Sequence, residues 1–277
     1  MYGATQVLLL SGTLAVSGVA CADWSKAKSP IRPIDALESL DSNVAAEVDA
    51  EFFAPWILGA DSRPLTPRER AMLVVGSAGM FIPDAAGHSL VESQFALFTQ
   101  QLRPRLERWL RRSEKHLPMA RAVFASEGLP PQLVYLPFIE SGYSSRALSH
   151  AGARGIWQFM PATGRRYGLA CCSKGDERTD PAKSTAAAAS YLKDLYLMFG
   201  DWSLALAAYN AGEGKIGRLV KRSKARNFFE LAARNDEFPH ATRLRRETLY
   251  YVPRFIAMVR IMENLHPLGF TPPRWNR

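Results

Sequence analysis

The sequence predicts a mostly α-helical protein in which an N-terminal helical arm leads into a larger helical domain. Three observations carry this expectation. From Ile34 onward, apolar residues recur at spacings of three and four, the period of a helix. Ala and Leu are abundant, and β-branched runs are few. Helix-start and helix-stop residues punctuate the chain, and no strand pattern of real length interrupts them.

Taken in order, residues 1–22 contain no charged side chain. Their apolar stretches at 7–10 and 14–19 are separated by Ser11, Gly12 and Thr13. That is too short and too broken to span a bilayer, and it reads as an export signal. Two processing sites compete: cleavage after Ala22 in Ala20-Cys21-Ala22, or a lipobox-like Gly18-Val19-Ala20-Cys21 with Cys21 lipidated, although Gly18 stands where Leu is usual. Residues 23–33 read as a polar, proline-containing linker, and 34–53 as a helix. Thr66-Pro67 pairs an N-cap with proline at the first helical position, opening a helix to about Met80. Over 89–110, Val91, Phe95, Phe98, Leu102, Leu106, Trp109 and Leu110 keep one apolar face, with a kink expected at Pro104. Residues 23–112 are thus a linker and N-terminal helical region, to which the sequence alone assigns no chemistry.

A helix over 116–127 follows. Leu129-Pro130-Pro131 then starts the helix that delivers Glu140, and Ser141-Gly142 ends it. Further helices are expected at 161–167, 184–199, 202–211, 213–220, 227–233 and 242–265, the last bent at Pro253, with a polar loop over 171–181.

With 277 residues and 47% apolar content, the chain can bury a large core. Its formal charge of +9 favours anionic partners: nucleic acid, acidic lipid or an acidic wall polymer. Nucleic acid is disfavoured, because no zinc-finger spacing, Walker loop or RRM-like aromatic signature is present. The five His show no ligand spacing, and Cys171-Cys172 reads as two buried thiols rather than a strained vicinal disulfide. No metal and no cofactor are expected.

The candidate catalytic residue is Glu140. It closes the apolar run L-V-Y-L-P-F-I-E, and no Asp or Glu occurs between it and Asp176. Burial disfavours the charged carboxylate, and a helix C-terminus disfavours it further. A carboxyl still protonated near neutral pH can donate a proton to a leaving group. Glycosidases ordinarily use two carboxylates, and this sequence offers a partner only through distant Asp176, Glu177 or Asp180.

Four segments occur in one order: E-S-G-Y-S-S-R-A-L-S-H-A-G-A at 140–153, G-I-W-Q-F-M-P at 155–161, D-E-R-T-D-P at 176–181 with A-A-Y-N-A-G-E-G at 207–214, and E-T-L-Y-Y-V-P at 247–253. This pattern resembles the family 1 lytic transglycosylases, with their goose-lysozyme-like SLT domain, and most of all the membrane-bound lytic murein transglycosylase D branch. The resemblance covers roughly residues 113–265. It implies a lysozyme-like catalytic domain over 113–277 and cleavage of the β-1,4 bond between N-acetylmuramic acid and N-acetylglucosamine in peptidoglycan, without water, to leave a 1,6-anhydro end.

The resemblance also implies residue roles. Glu140 falls on the single acid/base. Ser149 falls on a contact to the muramoyl sugar, Gln158 and Met160 on the groove wall, and Tyr209 and Asn210 on a further pair in the groove. Tyr251 falls on a tyrosine whose hydroxyl approaches the catalytic Glu. Each has a plainer reading: Ser149 as a turn residue, Met160 as core, and Asn210 as a tie between helices. Trp157 suits the core, and the 176–180 charges suit a loop.

The resemblance further implies export to the cell envelope, in the periplasm or as an outer-membrane lipoprotein through Cys21, with peptidoglycan strands as partner. The lysin-motif repeats usual in that branch are not among these residues. The basic segments 103–115 and 215–226 are expected to take their place on an anionic wall or membrane. A hydrolytic muramidase on the same scaffold and a non-catalytic glycan-binding protein are the rival readings.

Overall fold

Helix α1 (Pro67–Val74) opens where the Thr66-Pro67 signal places it. Thr66 Oγ1 accepts from the Glu69 N–H at 3.2 Å, and the Glu69 carboxylate accepts from the Thr66 N–H at 2.8 Å. This reciprocal capping satisfies two donors that a helix start leaves unpaired. The computed structural model describes residues 62–74, 89–172 and 175–276, all within one unit that spans 31–277. The export signal with Cys21, the linker, the 34–53 helix and the far end of the first predicted helix lie outside the described residues, as does the side chain of Cys172.

The predicted 89–110 helix is two helices, α2 (Ser89–Ala96) and α3 (Arg103–Ser113), joined by a π-turn at Leu97–Gln101. Leu102 leaves the helical region (φ −93, ψ 11), and Pro104 comes in the first turn of α3, where its missing N–H costs nothing. The expected kink is therefore a break just ahead of the proline.

Helix α4 (Leu117–Ser126) is followed by a 3-10 turn (Pro131–Tyr135) and the five-residue α5 (Leu136–Glu140). After the loop 141–160 come α6 (Pro161–Arg166) and a two-stranded antiparallel hairpin, β1 (Cys171–Cys172) with β2 (Gly175–Asp176), where the sequence predicted a plain loop. Cys171 is buried, and its Sγ donates to the Leu169 carbonyl at 3.3 Å. Then follow α7 (Pro181–Phe199), α8 (Trp202–Ala211), α9 (Glu213–Ser223), α10 (Phe228–Ala233) and α11 (Arg246–Glu263). Helix α11 starts later than predicted because 239–243 closes as a separate turn, with Thr242 N–H on the Pro239 carbonyl at 2.9 Å.

Helix α11 is the centre of the core. Val252, Phe255, Ala257, Met258 and Ile261 are sealed from solvent, and the helix packs on α2, α5 and α8. A helix apolar on nearly every side is buried on nearly every side. The N-terminal arm thus packs directly on α11, with Phe95 of α2 fully buried. Among the described residues no helix is long and apolar enough to cross a membrane.

The loop 141–160 is fixed by close contacts rather than by regular structure. Gly142 (φ +55) lets the backbone pass the Trp109 indole, which a Cβ would meet at 2.4 Å. Buried Arg178 binds the Asp176 carboxylate through Nε and Nη2 at 2.9 and 2.7 Å, and its Nη1 donates to the carbonyls of Gly152 and Phe159 at 2.7 and 2.8 Å. Such forked, charge-assisted bonds fix geometry as well as adding energy. Gly155 (φ +80) sits so tightly on this knot that a Cβ would lie 1.8 Å from the Arg178 carbonyl oxygen.

Gly155→Ala is expected to cost ~3 kcal/mol or more, because it adds a backbone clash to left-handed strain. Gly128→Ala, at φ +67 with open space around its Cβ position, should cost only ~1–2 kcal/mol. Urea unfolding followed by circular dichroism would measure both.

Candidate active site

Three elements converge on Glu140. Helix α5 ends on it, α8 brings Tyr209 and Asn210 from its last turn, and α11 presents Glu247, Tyr251 and Arg254. The last three are spaced four and three apart, so they share one helix face. Tyr251, only 4% exposed, donates its hydroxyl hydrogen to Glu140 Oε1.

Glu140 keeps partial solvent access while its carboxyl is packed among these neighbours. Burial is the main force on its proton and pushes it up to about 8. The Tyr251 hydrogen bond pulls it down, the Glu247 carboxylate pushes it up, and the Arg254 guanidinium pulls it down. The sequence reading expected burial and a helix dipole to act together. Helix α5 has only five residues, too few for a full macrodipole. The second upward push is instead Glu247.

Glu247 and Arg254 are the residues that the sequence reading missed. By sequence alone, a second acid is expected only at distant Asp176, Glu177 and Asp180. Those three serve the loops: Asp176 binds Arg178 and Arg154, Glu177 pairs with Lys183 and accepts from the Ala170 N–H, and Asp180 caps α7 through Ala182 and Lys183. The i, i+4, i+7 spacing of Glu247, Tyr251 and Arg254 was the available signal.

The other candidates divide into two groups. Tyr209 donates to the Trp157 carbonyl at 2.7 Å. Burial first, and then the Glu140 charge, hold its phenol well above the ordinary value. Asn210 Nδ2 donates to Glu247 Oε1 at 3.4 Å, tying the end of α8 to the start of α11. These two join Glu140 and Tyr251 in one cluster.

Ser149 and Gln158 brace the adjoining loop instead. Buried Ser149 accepts from the Ala153 N–H at 2.9 Å, closing a turn. Gln158, at φ +50, donates from Nε2 to the carbonyls of Gly155 and Ala147 at 3.0 and 3.4 Å. Met160 is 42% exposed ahead of α6. Trp157 is core: it stacks on Phe124 at 5.3 Å and donates to Thr185 Oγ1 at 2.9 Å. Among the described residues no cluster of three or more His, Cys, Asp or Glu could hold a metal ion.

A carboxyl raised to about 8 beside a phenol hydroxyl has the proton affinity that general acid–base chemistry calls for. Residues 119–232 match the family model described as "Transglycosylase SLT domain". The chain is 37% identical over 163 residues to the membrane-bound lytic murein transglycosylase D of Escherichia coli K12, covering 58% of this chain and 34% of that one. It is also 37% identical over 120 residues to the membrane-bound lytic murein transglycosylase F of Maricaulis maris, covering 39% of this chain and 25% of that one. Among solved structures it is similar to the 70 kDa soluble lytic transglycosylase of Escherichia coli, with a TM-score of 0.44, 21% identity, and coverage of 67% of this chain and 32% of that one. The similarity to lytic transglycosylases thus centres on residues 119–232, the segment that matches the SLT domain model. The chain spans about a third of the length of its Escherichia coli D relative.

The raised Glu140 carboxyl has a consequence for stability. In the unfolded chain a Glu ionises near ~4.3, whereas in the fold Glu140 ionises near about 8. Between these values the native state holds a proton that the unfolded state has released, so stability falls as pH rises through that window. Glu140→Gln is neutral at every pH. It is expected to match wild type near pH 4 and to exceed it by roughly 2–4 kcal/mol near pH 8 in urea unfolding. Parallel pH profiles for the two proteins would show an ordinarily solvated carboxyl.

Proposed function

We propose that this protein is a peptidoglycan lytic transglycosylase that cleaves the β-1,4 bond between N-acetylmuramic acid and N-acetylglucosamine and leaves a 1,6-anhydro end. The observation that carries this reading is Glu140 itself: one carboxyl, raised to about 8 and bonded to Tyr251, within an SLT domain. Protonated Glu140 donates its proton to the glycosidic oxygen as the bond from C1 to that oxygen breaks. The muramoyl N-acetyl group stabilises the cationic C1. The Glu140 carboxylate, held in the interval by the Tyr251 hydroxyl, then takes the proton of the C6 hydroxyl as O6 bonds to C1. A carboxyl of high pKa suits both halves, being a ready donor first and a stronger base afterwards. In this reading Tyr209 and Asn210 shape the floor, while Ser149, Gln158 and Met160 border the sugar groove.

One observation favours a second reading. Glu247 is a carboxylate close enough to act on Glu140, and two such groups are what a hydrolase needs to activate water. The product separates the two, since hydrolysis leaves reducing ends.

We place the protein in the cell envelope, which the export signal expected over residues 1–22 and the membrane-bound relatives support. Lipidation at Cys21 and cleavage after Ala22 are the two alternatives for its N-terminus. The basic segments 103–115 and 215–226 are proposed to face an anionic wall or membrane, although Arg103 and Arg226 are themselves engaged, Arg103 by the Leu268 and Gly269 carbonyls and Arg226 by Glu230.

Digestion of purified sacculi, read by mass spectrometry, tests the proposal. Wild type should release anhydro-muropeptides, and Glu140→Gln should lose roughly 10²-fold or more in rate. Reducing ends would establish the hydrolase, and unaltered sacculi a non-catalytic binder. Binding of Glu140→Gln to the same sacculi should weaken as salt rises; binding indifferent to salt would remove the basic segments from the account.

A further inference from the structure

The arm helix α2 lies outside the matched SLT segment, and the proposed reaction gives it no part. It nevertheless reaches the site. Gln94 of α2 is 2% exposed, and its Oε1 accepts from Arg254 Nε at 3.1 Å across 160 positions of sequence. Arg254 lies one turn beyond Tyr251 on α11, where Glu247, Tyr251 and Glu140 all act on its charge. A buried amide oxygen requires a donor, and a half-buried guanidinium requires partners. Each meets the other's need, and their bond holds the cation on the α11 face that also carries Tyr251.

We propose that Gln94 and Arg254 are positioning residues of the Glu140 site: helix α2, through Gln94, clamps the Arg254 guanidinium behind the Tyr251–Glu140 pair, so that one fixed positive charge opposes the proton on Glu140 throughout its cycle. This rests on the acid–base reading of Glu140 given above. Without that charge, burial and Glu247 would act on the carboxyl opposed only by the Tyr251 hydrogen bond, and the group would give up its proton less readily. A guanidinium free to swing into solvent would be screened and would vary from one turnover to the next. The clamp makes the charge constant.

The groups facing this pair come from every element packed on α11. Helix α5 contributes Glu140, α8 contributes Tyr209, and α11 itself contributes Glu247 and Tyr251. Helix α2 carries Glu92, the 3-10 turn carries Tyr135, and α1 carries Arg68, Glu69 and Arg70. Of these outer groups, Tyr135 is engaged by Arg121 and Glu69 by Arg63. Arg254 is the cation among the groups that act on Glu140.

The test titrates Glu140 directly in the full chain. The protein is labelled with glutamate carrying carbon-13 at the carboxyl, and the Glu140 resonance is assigned by its loss in Glu140→Gln. Arg254→Met should move the Glu140 midpoint upward by roughly 1 unit, and Arg254→Lys should leave it near the wild-type value. Gln94→Glu, which neutralises Arg254 in place by pairing with it, should also move the midpoint upward. This variant decides the matter if Arg254→Met does not fold. An unmoved midpoint in Gln94→Glu, or a shift as large in Arg254→Lys as in Arg254→Met, would reduce the pair to an ordinary tie between helices and overturn the proposal. Sacculus digestion by the same proteins keeps the two readings apart. Shifted midpoints without wild-type turnover would uphold the clamp and defeat the proposed reaction, whereas turnover with unshifted midpoints would do the reverse.

Discussion

The structure turns on the burial of a single carboxyl, that of Glu140, against the hydroxyl of Tyr251. The two residues lie 111 positions apart in sequence. Their meeting requires α5 to stop on Glu140 and α11 to pass directly behind it. Burial alone would make the carboxyl an inert neutral group. The hydrogen bond and the Arg254 charge return some of its acidity, while Glu247 works with burial. The proton affinity that results is a balance of opposed forces, as the proposed role of Glu140 as acid and then base requires.

The surrounding fold is arranged to hold that meeting. Helix α11 is locked on several sides, by α2, α5 and α8, so the face bearing Glu247, Tyr251 and Arg254 has little freedom to turn. The loop that would border the substrate is tied by carbonyl contacts from Arg178 and Gln158 and by the turn at Ser149. The Tyr209 hydroxyl ties α8 to the same loop through Trp157. Polar side chains here therefore serve the backbone first. Ser149 and Gln158 illustrate how a polar residue can have a structural reason for its identity apart from any ligand.

Much of the helical order was legible because local signals and burial agree. Helix α8 runs over the residues predicted, since Asp201 accepts from the Leu204 N–H at 2.8 Å at its start and Gly212 takes a positive φ at its end. Glu140 was legible because an apolar run leading into a lone acid is a local pattern. What escaped was non-local or too short for a period. The two-residue strands around 171–176 show no alternation to detect. The π-turn before Pro104 depends on how Leu97 and Phe98 pack, beyond what a proline announces. Glu247 was in view within a quoted motif and Arg254 directly follows it, yet their bearing on Glu140 exists only once α11 packs against α5. The same holds for Gln94, whose partner is far along the chain.

The central claim concerns the ionisation state of one side chain, and infrared difference spectroscopy between wild type and Glu140→Gln in neutral buffer observes it most directly. The expected result is a carbonyl band of a protonated carboxyl, present at pH 7 and converted to carboxylate bands only as pH passes through about 8. A difference spectrum that shows only carboxylate at pH 7, with protonation delayed until the ordinary Glu range near ~4.3, would contradict the account.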